Sequence, residues 1–216
     1  MAIDKVTTPA VTDDSITADK INNDIISGST ELASEPADTD EFLVSDAGTL
    51  KRVDYSLIKG GGVTMVDNWR LTTSFTGDTV PIINWERNDS AAPNFGYYGE
   101  QMTESSGIFS FPSTGFYWII LNLQFYLNGD SQYAGSEIQV TADNASYGNR
   151  CAQYNFIKNV ANPTYSFISS NITLDITDTS NQKVRFRSVT ANSAQTTVAD
   201  SNYDHSYVRF IKLGET

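Results

Sequence analysis

Two of the side chains most useful to chemistry are almost missing from this chain of 216 residues, which has one cysteine, Cys151, and one histidine, His205. A lone cysteine excludes an intrachain disulfide framework and any site built from several thiolates of one chain. A lone histidine, with no Gly-x-Ser-x-Gly or comparable nucleophile motif beside it, leaves no catalytic constellation to name. No enzymatic activity and no cofactor are therefore expected. Basic residues are scarce as well: 14 Lys and Arg stand against 26 Asp and Glu, a net charge of −12. That balance argues against a phosphate-neutralising surface, and nucleic acid is not an expected partner. Long apolar runs are also absent, since no window approaches the roughly 18 residues of a membrane span and the opening MAIDKVTTPAVTDD has no apolar secretory region. The expectation is a soluble chain, made without a signal peptide and not inserted in a membrane.

What is abundant is aromatic and small polar. Tyr and Phe number 11 each among many Ser, Thr and Asn residues, the composition of a β-rich chain with many turns. The strongest pattern is GIFSFPSTGFYWIILNLQFYL, Gly107 to Leu127. From Phe116 onward the odd positions Tyr117, Ile119, Leu121, Leu123, Phe125 and Leu127 are all apolar or aromatic, and a period of two places them on one face of a strand, toward the core. The even set opens with Phe116, Trp118 and Ile120 before turning polar at Asn122 and Gln124. A strand in a lone two-sheet sandwich should have one wet face. The apolar even set therefore predicts a second covered face, supplied by another subunit.

Ahead of this lies a different kind of segment. Asp14 or Ser15 can cap a short helix from Ile16 to about Ser27, with Ile21 and Ile25 on one face and Gly28 as the stop. Glu41 to Ser45 and Thr49 to Val53 are β-prone runs around Asp46-Ala47-Gly48, read as a hairpin with a three-residue loop. The Gly60-Gly61-Gly62 run then marks a boundary. Residues 1–60 carry 12 acidic and 5 basic side chains, net −7, and residues 61–216 carry 14 and 9, net −5. Two domains are expected, 1–60 and 61–216. The first is too poor in apolar residues to fold without a neighbour.

From Val63 onward the pattern is all strands. Trp69 to Phe75 alternates, Thr76-Gly77-Asp78 turns, and Val80 to Trp85 reads as the return strand. Further alternations are Ile138 to Ala142, Ala152 to Phe156, Ile168 to Ile176 and Val184 to Phe186, with Ser206 to Leu213 closing the chain. Eight or nine strands with turns between them imply a mainly β chain whose C-terminal domain is an antiparallel jelly-roll sandwich, preceded by the short helix and hairpin.

Several groups are candidates for contact. Tyr97, Tyr98, Tyr133, Tyr147 and Tyr165 lie in or beside stretches rich in Gly, Ser and Asn, a mixture suited to receptor recognition, whether glycan or protein. Lys183, Arg185 and Arg187 share the face of a strand opposite Val184 and Phe186 and offer an anion contact, with a plain solvated face as the simpler reading. Asp200, Asn202 and Asp204 place oxygens at alternate positions, like the front half of a calcium loop. The loop lacks the glycine that should follow, and Ile211 stands where the bidentate glutamate belongs, so no metal site is expected.

Three stretches of the second domain resemble the trimeric jelly roll of the tumour necrosis factor and complement globular-head superfamily. GIFSFPSTGFYWIILNLQF is similar to that family's aromatic strand entry, with Phe109, Pro112, Gly115 and Tyr117 at its Phe, Pro, Gly and Tyr positions. Ser169 to Ser188 resembles its Leu-rich and Val-rich hairpin, with Asp178 to Gln182 replacing the usual Gly-Asp turn. His205 to Glu215 is similar to its short terminal strand without the Ser-Phe-x-Gly core. Separately, Pro36 to Gly60 is similar to a module of tail-fibre and other appendage proteins of bacteriophages, which joins a virion-attachment end to a distal trimeric knob. These resemblances imply a homotrimer located in the virion. Residues 1–60 would contact other virion proteins, and the jelly roll would serve host attachment or, alternatively, decorate the capsid.

Overall fold

A computed structural model of the chain describes residues 28–58, 62–88, 96–160 and 162–216. The helix expected over residues 16–27 lies outside the described residues. The chain divides into two compact units, Met1–Gly60 and Gly61–Thr216.

In the first unit, β1 (Glu41–Asp46) and β2 (Thr49–Asp54) pair antiparallel, and a single helical turn, α1 (Tyr55–Ile58), follows. The loop has two residues, not the expected three, because Asp46 pairs with Thr49. Ala47 and Gly48 take φ of 50° and 84°, and positive φ at both central residues matches the twist of the flanking strands. The Asp46 carboxylate binds Lys51 across the strands. Asp40 ties the ends together, its side chain accepting from Ala37 N at 2.9 Å and its carbonyl from Tyr55 N at 2.7 Å. Leu43, Leu50 and Leu57 are each at least 70% exposed.

The second unit contains β3 (Met65–Leu71), β4 (Phe75–Thr76), β5 (Trp85–Arg87), β6 (Tyr97–Gly99), β7 (Thr103–Ser105) and β8 (Ile108–Ser110). It continues through β9 (Gly115–Leu127), β10 (Ser131–Thr141), β11 (Tyr147–Ile157), β12 (Thr164–Ile176), β13 (Lys183–Thr190), β14 (Thr196–Thr197) and β15 (Tyr207–Gly214). One sheet runs β11-β10-β13-β8-β7. In the other, β9 lies between β12 and β15, and β3 follows β15 and carries β5 and β6; short β14 and β4 extend from the far end of β9. All pairings are antiparallel, so the architecture is a jelly-roll sandwich.

The expected inward set of β9 is buried, from Tyr117 to Leu127, and so are Ile168, Ser170 and Ile176 of β12 and Val184 and Phe186 of β13. Between the sheets Phe109, Phe186 and Phe210 pack with Trp85, ring centroids 5.1–6.2 Å apart. Burial of each such ring stabilises the fold by about 1.5–3 kcal/mol. Entry into β9 has its own lock. A Cβ on Gly115 would sit 2.4 Å from the Gly214 carbonyl oxygen, and Tyr117 Oη donates to the Ser113 carbonyl at 2.9 Å.

Two strand expectations are corrected. Alternation from Trp69 to Phe75 breaks after Leu71, and Val80 to Asn84 forms no strand. Here the chain passes from one sheet to the other: Thr79 bridges Ser188 of β13, Ile82 N bonds Phe186 O, and only at Trp85 does pairing with β3 begin. Pro81, lacking an N–H, suits this crossing rather than a ladder.

Candidate functional site

Phe116, Trp118 and Ile120 lie together on the solvent side of β9, as the even set of an alternating strand must. Phe116 and Trp118 are 40% and 39% exposed, and Ile120 is half-buried. Register builds this set into a wider band. Trp118 stands opposite Ile211, Ile211 opposite Val66, and Val66 opposite Tyr98, a continuous row across the sheet. The row beside it is mixed, with Ile120 opposite Arg209, whose Nε donates to Asn68. Val66, Ile211 and Tyr98 were not assigned to this patch by the sequence, because their strands lie far apart along the chain.

Beyond these rows the same face turns polar and opens into a hollow of about 360 Å³ lined in part by Asn122, Gln124, Phe167, His205 and Tyr207. His205 Nδ1 lies 2.8 Å from Gln124 Oε1. At the edge of the sandwich β11 and β12 run side by side, with Asn155 Nδ2 donating to Ser166 Oγ at 3.1 Å. Each edge strand presents an exposed phenylalanine, Phe156 and Phe167. This edge is a different patch from the Trp118 row.

The five tyrosines named as candidates for receptor contact do not come together. All lie within strands, with Tyr97, Tyr147 and Tyr165 at strand ends beside loops. Tyr98 and Tyr165 are on the eight-stranded sheet, Tyr98 in the Trp118 row and Tyr165 against Tyr126 with ring centroids 5.8 Å apart. Tyr97 lies under the Arg87 guanidinium at 5.5 Å. Tyr133 and Tyr147 are on the other sheet, on β10 and β11.

The basic row does share the solvent face of β13, but its charges meet partners within the chain. Lys183 Nζ donates to the Thr179 carbonyl at 2.8 Å. Arg185 Nε donates to Gln139 Oε1 at 2.8 Å, and its guanidinium lies 4.1 Å from the Tyr147 ring centroid. Arg187 reaches Asp78 at 3.2 Å and Glu137 at 3.4 Å. Glu137, on the solvent face of β10, is only 3% exposed because these long side chains and Tyr154 cover it. Burial and the Arg185 charge act oppositely on the Tyr147 hydroxyl, and burial prevails, raising its pKa.

Of Asp200, Asn202 and Asp204, the first two bond each other and the third bonds Asn88. Asp200 Oδ1 accepts from Asn202 N at 2.6 Å, which holds its carboxyl below the usual range, and Asp204 accepts from Asn88 Nδ2 at 3.1 Å. Cys151 packs against the core.

No protein-family model matches the sequence, and no curated protein matches it. Solved structures do. Eiger TNF from S. frugiperda is similar over 72% of this chain and 96% of that one, at 15% identity and a TM-score of 0.49. Murine APRIL at pH 5.0 is similar over 69% of this chain and 98% of its own, at 11% identity and a TM-score of 0.50. A second murine APRIL structure, at pH 8.5, matches at 14% identity with a TM-score of 0.43. At such identities the likeness is one of fold. The chain carries a TNF-like antiparallel jelly roll.

Proposed function

We propose that the chain is a homotrimeric bacteriophage virion protein, anchored through residues 1–60 and displaying its jelly roll for host-cell attachment. The observation that carries this reading is the pairing of two unequal units. A two-stranded hairpin and the helical turn after it, which leave Leu43, Leu50 and Leu57 to solvent, precede a jelly roll with a complete core. A hairpin of that size is marginal alone in water, which suits a segment that docks on a larger body. Its sequence, Pro36 to Gly60, is similar to the phage appendage module.

Self-association rests on the two apolar patches. The Trp118 row and the Phe156–Phe167 edge differ, so a contact of one copy's edge with the next copy's face is heterologous and can close into a ring. We read the protein as a binding component without catalysis: the one histidine is engaged with Gln124 and the one cysteine packs against the core.

The test uses labelled protein and assembled particles. The full chain should bind susceptible cells and slow infection, and deletion of residues 1–60 should abolish incorporation into particles. A protein that neither binds cells nor slows adsorption, from particles whose heads weaken when it is missing, would be a capsid decoration protein instead.

A further inference from the structure

The solvent face of the five-stranded sheet holds a concavity that the self-association reading does not use, about 440 Å³ between Tyr133, Glu137, Tyr154, Arg187 and Val189. Its floor is built by a glycine. A Cβ on Gly135 would lie 2.5 Å from Tyr154 Cδ1 and 2.6 Å from Cε1, so the ring lies across the sheet directly over that residue. Tyr154 Oη donates to Glu137 Oε1 at 2.8 Å, which fixes the ring and raises the phenol pKa. Tyr133 stands almost perpendicular, its centroid 6.1 Å away with an 86° angle between the planes. The two rings form a corner with one free aromatic face along its base.

The polar groups there are arranged for a neutral ligand. Glu137 is 3% exposed, and the Arg187 guanidinium lies 3.4 Å from its Oε2. Arg187 also meets Asp78 at 3.2 Å, and Arg185 stands next on the same face of β13, so two carboxylates and two guanidiniums balance and an ion of either sign gains little. In particular, a quaternary ammonium that two tyrosines would otherwise suit is opposed by Arg187. Hydrogen bonding is not saturated: the Arg187 and Gln139 contacts to Glu137 Oε2 are both 3.4 Å, the long limit of such bonds. A flat aromatic face, an acceptor with spare capacity and a guanidinium donor together match a ring with an apolar C–H face and a hydroxylated edge.

We propose that this corner is a saccharide site, taking a neutral pyranose with its C–H face on Tyr154 and a hydroxyl on the Arg187 guanidinium where it meets Glu137. The site deepens the attachment reading and depends on it for the source of the sugar, a glycan of the host surface.

The full chain is titrated with methyl glycosides of common hexoses and N-acetylhexosamines, and with choline, while NMR follows saturation transfer and the amides of Gly135, Tyr154 and Arg187. At least one glycoside should shift these amides, and Tyr154→Ala and Glu137→Gln should each weaken it roughly tenfold, the worth of one aromatic or charged contact. Tyr154→Phe should keep most of the binding, since the ring remains. Gly135→Ala, which displaces the ring, should weaken it as well, with melting curves confirming folded variants. Choline binding without glycoside binding, glycoside binding indifferent to all these variants, or silent amides throughout would each overturn the site. Adsorption to cells by a protein with silent amides rejects the site and keeps the attachment reading. A glycoside seated here on a protein that ignores cells does the reverse.

Discussion

Asp67 is an acid completely removed from solvent. Its carboxylate accepts from Arg87 Nε at 2.8 Å, Arg87 Nη2 at 3.1 Å and Met102 N at 2.8 Å, while the guanidinium also lies 4.4 Å from the Trp69 ring centroid. Removing one partner of a buried pair strands the other. Asp67→Ala should therefore destabilise the fold by about 3 kcal/mol in urea titrations, and the isosteric Asp67→Asn by less. At the surface Asp143 tests electrostatics of another kind. Donation from the Thr141 hydroxyl at 2.7 Å, then from Ser146 N at 2.8 Å and Ala145 N at 2.9 Å, lowers its pKa to about 2. As pH falls, the unfolded chain binds this proton before the folded one, so the contribution is complete above the unfolded value of about 4 and fades toward pH 2. Asp143→Asn should flatten the loss of stability over that window in thermal melts taken at successive pH values.

Among the elements β9 has the largest part, because one strand carries apolar side chains on both of its faces. Its odd side chains fill the core, and Phe116, Trp118 and Ile120 stand on the other side within a row completed by β15, β3 and β6. Trp118→Asp should leave the jelly roll folded, since the side chain is outward. In the proposed trimer it places an unpaired carboxylate in a desolvated contact, costing several kcal/mol per copy. Sedimentation should find the variant as monomer where the wild-type chain is trimer, and an unchanged trimer would move the contact off this face. The exposed edge strands β11 and β12 belong to the same argument, because a long exposed edge rich in aromatics is a pairing hazard unless covered.

At the scale of the whole jelly roll, the sandwich gives two outer surfaces of different character. The solvent face of β9 and β15 is apolar at one end and suits another copy. The opposite face carries β10, β11 and β13, where Arg187 meets Glu137 beside the Tyr133–Tyr154 corner. Trimerisation through the first would leave the second free for a ligand, so an avid, multivalent contact with a repetitive surface needs no rearrangement.

Much of this was legible in the residues themselves. Period-two alternation in β9, β12 and β13 assigned the buried faces correctly because a side chain's direction in a strand depends only on its parity. One break was local too: the turn from Asp178 to Gln182 is held by bonds within a few residues. The sequence misjudged what depends on a partner strand. It drew Val80 to Trp85 as a strand, although all but Trp85 belongs to a sheet crossing decided by where β13 and β3 lie. It grouped Tyr97, Tyr98, Tyr133, Tyr147 and Tyr165, which fall on different sheets. It saw Tyr154 only as part of an alternation and named neither Glu137 nor Gly135, because a tyrosine over a glycine becomes a platform only when register sets them opposite each other. Parity is a property of one strand and is written in its sequence; register is a property of two, and only tertiary structure decides it.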